Sequence, residues 1–143
     1  MTNLMKAICG VITALMALLP ITFPKNVITE TMTTTVEVTQ EGTNLGTFKL
    51  TFYTPHDDKW GYQTATGVRS EHLKTCAVDP KVIPYGSVLQ ITGSNGQTLT
   101  LKAVDCGSAI KGNKIDIFWD GDTQSGYDWM AKFGTSHEVY KVN

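Results

Sequence analysis

Three aspartates lie in apolar company where carboxylates are scarce: Asp79 within Ala77-Val-Asp-Pro80, Asp105 within Ala103-Val-Asp-Cys-Gly107, and Asp116 between Ile115 and Ile117. Aspartate is depleted in strands, so its presence there asks for a reason. A single one is explained by a loop cap that accepts backbone N–H bonds. Three gathered in one hollow would do more. Mutual repulsion and partial burial raise at least one pKa and leave a protonated acid near neutral pH. Such an acid can donate to a leaving oxygen, as cleavage of a glycosidic bond through an oxocarbenium-like transition state requires.

Competing chemistries find less support. A zinc site would draw on His56, Asp57 and Asp58 with His72 or His137, but these histidines lack H-x-x-x-H or another tight ligand spacing. His56-Asp-Asp reads as a solvated loop. No G-x-S-x-G elbow is present for a serine nucleophile. No residue near Cys76 or Cys106 in sequence supplies a base for a reactive thiol. No metal or organic cofactor is implied. Twelve Lys plus Arg against thirteen Asp plus Glu give a net charge of -1, which leaves no broad cationic surface for nucleic acid.

The elements that must position the aspartates are mostly strands. The 143 residues suit one compact domain. Phe48, Leu50 and Phe52 alternate with polar neighbours; Val88, Leu89 and Ile91 lead into Gly93-Ser-Asn-Gly96; Leu99, Leu101 and Ala103 alternate again, predicting a hairpin. Further strands are expected at 114–118 and 138–142. One short helix fits Thr123–Phe133, with Asp122 as its N-cap and Gly134 at its end. Several short strands and a small helix argue for a closed barrel, which removes unpaired edges.

Residues 1–25 read as a signal peptide or N-terminal anchor: Lys6 precedes an uncharged run through Leu19 and Pro20. No A-x-A cleavage site is evident, and the run is short beside the roughly 20 residues of a spanning helix, so membrane contact would come only through this segment. Cys9 precedes most of the apolar run, which argues against lipid attachment. Residues 26–45 form a Thr-rich spacer, within which Thr35-Val-Glu-Val-Thr39 alternates like an edge strand, and the folded unit is expected from Gly46 to Asn143. Without the leader two cysteines remain. In an exported chain they predict a Cys76–Cys106 disulfide, closing a loop of about 30 residues.

The run Ala77-Val-Asp-Pro-Lys-Val-Ile-Pro-Tyr-Gly-Ser87, the segment Asp105-Cys-Gly-Ser-Ala-Ile-Lys-Gly112, and Asp116 beyond it together resemble the signature of the 3D domain, named for three aspartates. The likeness extends over roughly Phe48 to Val142. The family resembles the catalytic barrel of membrane-bound lytic transglycosylase A and the stationary-phase survival proteins. It implies a mainly β fold, a small six-stranded double-psi barrel with one or two short helices, that cleaves peptidoglycan glycan strands. By resemblance Asp116 matches the catalytic acid, Asp105 the aspartate that supports it, and Asp79 the aspartate of the Val-Asp-Pro motif. Phe52-Tyr-Thr-Pro55 and Thr64-Ala-Thr-Gly67 resemble segments lining the groove, so Tyr53, Thr66 and Gly67 are expected to bind substrate. Lys111 could hold an anionic or carbonyl group and Trp119 could offer a sugar an aromatic face.

Two departures stand out. Cys106 occupies a position that is usually Thr in the family, which supports pairing with Cys76. No counterpart of the second domain that the transglycosylase packs opposite its barrel is expected within these 143 residues, so the grip on glycan is expected from this barrel or from a partner. The implied reaction is non-hydrolytic: Asp116 protonates the oxygen between N-acetylmuramic acid and N-acetylglucosamine, then deprotonates the muramoyl C6 hydroxyl to close a 1,6-anhydro ring. The implied setting is secretion or cell-wall association. The alternative comes from barrels resembling expansins and barwin-like proteins, which bind wall polysaccharide without cleaving it.

Overall fold

The computed structural model describes residues 42–143. The expected leader and the spacer up to residue 41, including the 35–39 strand, lie outside the described residues. Six strands, β1 (Thr43–Tyr53), β2 (Thr75–Ala77), β3 (Val88–Thr92), β4 (Thr98–Asp105), β5 (Lys114–Phe118) and β6 (Ser136–Lys141), close into a barrel in the order β1-β5-β2-β4-β3-β6. This is the six-stranded double-psi barrel expected from the sequence. One helix, α1 (Thr123–Phe133), is present among the described residues. β1 starts at Thr43, so residues 43–45, read as the end of the spacer, are strand facing Lys141 and Tyr140 of β6.

Two parallel pairs, β1 with β5 and β2 with β4, are tied together by antiparallel pairing of β2 with β5. β6 pairs with both β1 and β3, so the last strand seals the sheet and removes its edges. Alternation fills the interior. Phe48, Leu50, Leu89, Ile91, Leu101, Ile115, Ile117 and Val139 are all essentially buried and form one core with Phe133 from the helix. Strand β2 carries no alternating signal of its own; with three buried residues it is a strand because β4 and β5 flank it.

The helix obeys local rules. Asp122 is extended and its carboxylate accepts from Ser125 N at 2.9 Å, while Gly134 ends the helix at φ 98°. Its inner face lowers Gly126 onto the Phe52 ring and Phe133 against Gly93, and a Cβ at either glycine would fall 2.4 Å from the ring it covers. Truncating the fully buried Phe133 to Ala would therefore cost about 3–5 kcal/mol.

The expected disulfide does not form: Cys76 and Cys106 are both free. Cys76 points into the barrel, opposite Ala103 and Ile117, and its thiol lies 3.7 Å from the Lys102 carbonyl. Cys106 lies just beyond the end of β4 and is exposed. An even count gives no information about which way each side chain faces.

Candidate functional site

Asp116 occupies the middle of β5, and its neighbours Ile115 and Ile117 fill the interior, so strand alternation turns its carboxyl to the outer face. There it lies opposite Thr51 of β1 on one side and Ala77 of β2 on the other. Thr51 donates its hydroxyl to Asp116 Oδ1 at 2.5 Å. Among the described residues Oδ2 accepts no hydrogen bond. No fully buried side-chain oxygen among the described residues lacks a partner, so Oδ2 is reached from outside. Burial pushes the carboxyl above the usual range; the Thr51 hydroxyl and Lys114 oppose this, and the charges of Asp57 and Asp105 add to it.

Asp105 reaches the same face through a backbone irregularity. Along β4 the inward residues are Leu99, Leu101 and Ala103, and plain alternation would send Asp105 inward as well. The β2–β4 register instead runs Cys76↔Ala103 and then Ala77↔Asp105, leaving Val104 as an extra residue. This bulge re-aims the strand end. Asp105 and Asp116 thereby flank Ala77, one on each neighbouring strand.

The Asp105 carboxylate organises the rim. Oδ1 accepts from Ala65 N and Cys106 N, both at 2.9 Å, and Oδ2 accepts from the Tyr53 hydroxyl at 3.3 Å. These bonds, with Thr66 N donating to Val104 O at 3.2 Å, hold the loop after β1 over the barrel end. Burial pushes the Tyr53 phenol well up, which keeps it a donor. Over this end opens a cavity of about 290 Å³ lined by Tyr53, Asp58, Trp60, Gln63, Ala65, Asp105 and Cys106, among others. Asp116 is not on its wall.

The remaining expected residues scatter. Asp79 sits on the turn after β2, where Oδ1 accepts from Lys81 N at 3.0 Å and Oδ2 from Gly112 N at 2.9 Å. Those two backbone donors hold it below the usual carboxylate range, with smaller help from Lys111 and Lys81. Its bonding is that of a loop staple, and it is not among the charges that act on Asp116. Lys111 is exposed on the Asp79 side. Thr66 and Gly67 belong to the loop over the barrel end, with Gly67 lining a neighbouring hollow. Trp119 stacks on Trp129 at 5.4 Å and donates to Ser125 Oγ at 3.2 Å, in an aromatic row that continues to Phe133.

Sequence reasoning missed Trp60, which is 58% exposed on the cavity wall with the Lys59 ammonium 4.9 Å from its ring centroid. Nothing in its local pattern separates it from a core tryptophan. It also missed Asp57, which accepts from Thr54 N and acts on the titration of Asp116. The histidines considered for zinc are dispersed: the His72 ring accepts from Asp120 N, while that of His137 bonds Phe133 O.

Comparison with known proteins adds a family. Residues 74–140 match the 3D domain. The chain is 43% identical over 82 residues to the cell wall-binding protein YocH of Bacillus subtilis, covering 55% of this chain and 27% of that protein. It is also 43% identical over 89 residues to the putative cell wall shaping protein YabE of the same organism, covering 60% of this chain and 21% of that protein. The chain thus spans about a quarter of the length of the curated relatives it matches. Among solved structures, MltA from E. coli aligns with a TM-score of 0.45 at 25% identity over 55% of this chain and 26% of its own.

Proposed function

From the match of residues 74–140 to the 3D domain, we propose that this barrel acts on the glycan strands of peptidoglycan as a lytic transglycosylase. The observation that carries the reading is Asp116: a carboxyl raised by burial, with Oδ1 fixed by Thr51 and Oδ2 open to the outer face beside Asp105. A raised carboxyl is protonated closer to neutrality than a solvated one, which suits a general acid. Asp116 would give its proton to the oxygen between N-acetylmuramic acid and N-acetylglucosamine. The carboxylate left behind would take the proton of the muramoyl C6 hydroxyl as its oxygen closes on C1, yielding a 1,6-anhydro product with no water consumed.

Asp105 acts as a positioning residue. Its three hydrogen bonds fix Tyr53 and the loop, while its charge raises the Asp116 pKa. Trp60 offers an exposed aromatic face for a sugar ring on the cavity wall. Asp79 and Lys111 enter this reading only through the support they give the adjoining loops. Cell-wall association follows from the same reading and accords with the names of the two Bacillus relatives.

The test is digestion of purified peptidoglycan followed by mass spectrometry. Anhydromuramoyl ends that vanish with Asp116→Asn support transglycosylation; reducing ends would make the enzyme a hydrolase. The name of the cell wall-binding relative favours a second reading, a polysaccharide-binding module without turnover. Retention on peptidoglycan by both wild type and Asp116→Asn, with no product from either, would establish that reading in place of the first.

A further inference from the structure

Next to the cavity that holds Asp105 lies a second hollow of about 320 Å³, lined by Tyr62, Gln63, Thr64, Gly67 and Arg69. Gln63 and Thr64 line both, so the two are consecutive stretches of one groove. Arg69 is the only arginine in the sequence. Its guanidinium carbon rests 3.9 Å from the centroid of the Tyr62 ring. That ring is itself fixed, packing edge-on against Phe118 at 5.5 Å and donating its hydroxyl to Asp120 at 2.7 Å. Among the described residues the ion pair formed is Lys74–Glu71, and Arg69 has none.

A guanidinium stacked on a ring keeps its in-plane N–H donors free, and their fork matches the two oxygens of a carboxylate. The nearby acid, Asp120, is already engaged by the Tyr62 hydroxyl. Neutral N-acetyl sugars give such a cation no counterpart, whereas the muramoyl residues of peptidoglycan carry acidic branches. We infer that Arg69, seated on Tyr62, is a subsite for a free carboxylate on the muramoyl branch of the strand, which rests on the glycan-strand reading above. The carboxylate belongs either to the lactyl group of an unsubstituted muramic acid or to a stem peptide.

The experiment measures retention of the full chain on three immobilised polymers: untreated peptidoglycan, the same material with its carboxyls converted to amides, and peptide-free glycan with its lactyl carboxyls exposed. Amidation is expected to weaken wild-type binding roughly tenfold, the scale of one charge-assisted contact. Arg69→Gln should bind untreated polymer as weakly as wild type binds the amidated form and should ignore amidation, while Arg69→Lys recovers part of the loss. Full retention on peptide-free glycan assigns the carboxylate to the lactyl group, and loss there assigns it to the stem peptide. Equal binding of untreated and amidated polymer by the wild type overturns the subsite and leaves the glycan reading standing. Failure to bind any of the three overturns both.

Discussion

The Asp79 carboxyl receives two backbone N–H groups, whereas that of Asp116 receives one side-chain hydroxyl in a largely desolvated setting. Both sit in short apolar runs that look alike in sequence. Their titration nevertheless moves in opposite directions, down at Asp79 and up at Asp116. Apolar flanking residues therefore do not set the protonation of a carboxyl; the donors that reach it and the water kept from it do. One of the pair is equipped to stay ionised and brace a loop, the other to hold a proton.

The sharpest way to break this contrast is to remove each carboxyl in turn. Asp116→Asn should lower turnover by roughly 10²–10⁴-fold, the usual weight of a general acid, while the thermal midpoint stays level or rises, because a costly buried acid has become a neutral amide that still accepts from Thr51. Asp79→Ala should do the reverse: a clear drop in thermal midpoint, since the N–H groups of Lys81 and Gly112 lose their acceptors, with most activity per folded molecule retained. Equal effects of the two substitutions on turnover would erase the distinction.

Acid titration of stability sharpens it next. Asp79 is lowered in the folded state, so its contribution is present above the unfolded carboxylate pKa and is lost as pH falls through the folded value. Asp116 is raised, so the folded state binds more protons between the unfolded and folded values, and stability declines as pH rises through that window. Thermal midpoints measured against pH should show Asp79→Ala flattening the acid-side loss and Asp116→Asn flattening the decline on the other side.

Thr51→Val gives a smaller effect. Without the hydroxyl that lowers it, Asp116 should titrate higher still, moving the alkaline limb of the kcat profile upward. Smallest of all is Lys111→Ala. The exposed ammonium is a minor influence on Asp79, and unfolding free energy should change by no more than about 0.5 kcal/mol, with binding to peptidoglycan intact.

What was legible in the sequence was whatever local chemistry decides. The helix emerged between the predicted residues because Asp122 and Gly134 mark its ends, and β5 emerged over 114–118 because its apolar residues alternate. Strand β2 was not legible: three buried residues become a strand only through the neighbours on both sides. The cysteines misled for a related reason, since orientation within a barrel is set by register and not by count. Asp79 did carry a local signal, a side chain before Pro80 able to accept from an N–H two residues on, as Lys81 N does. Trp60 and Trp119 are the same residue type. Only their tertiary surroundings expose the first on a cavity wall and stack the second against Trp129.

Val104 is one buried apolar residue, yet its place as the unpaired residue of a bulge decides on which side of the sheet Asp105 emerges. The same residues paired without the bulge would carry the carboxylate into the oily interior and release Ala65 and Tyr53 together. The offset between these two strands thus matters to the site as much as the acids it presents.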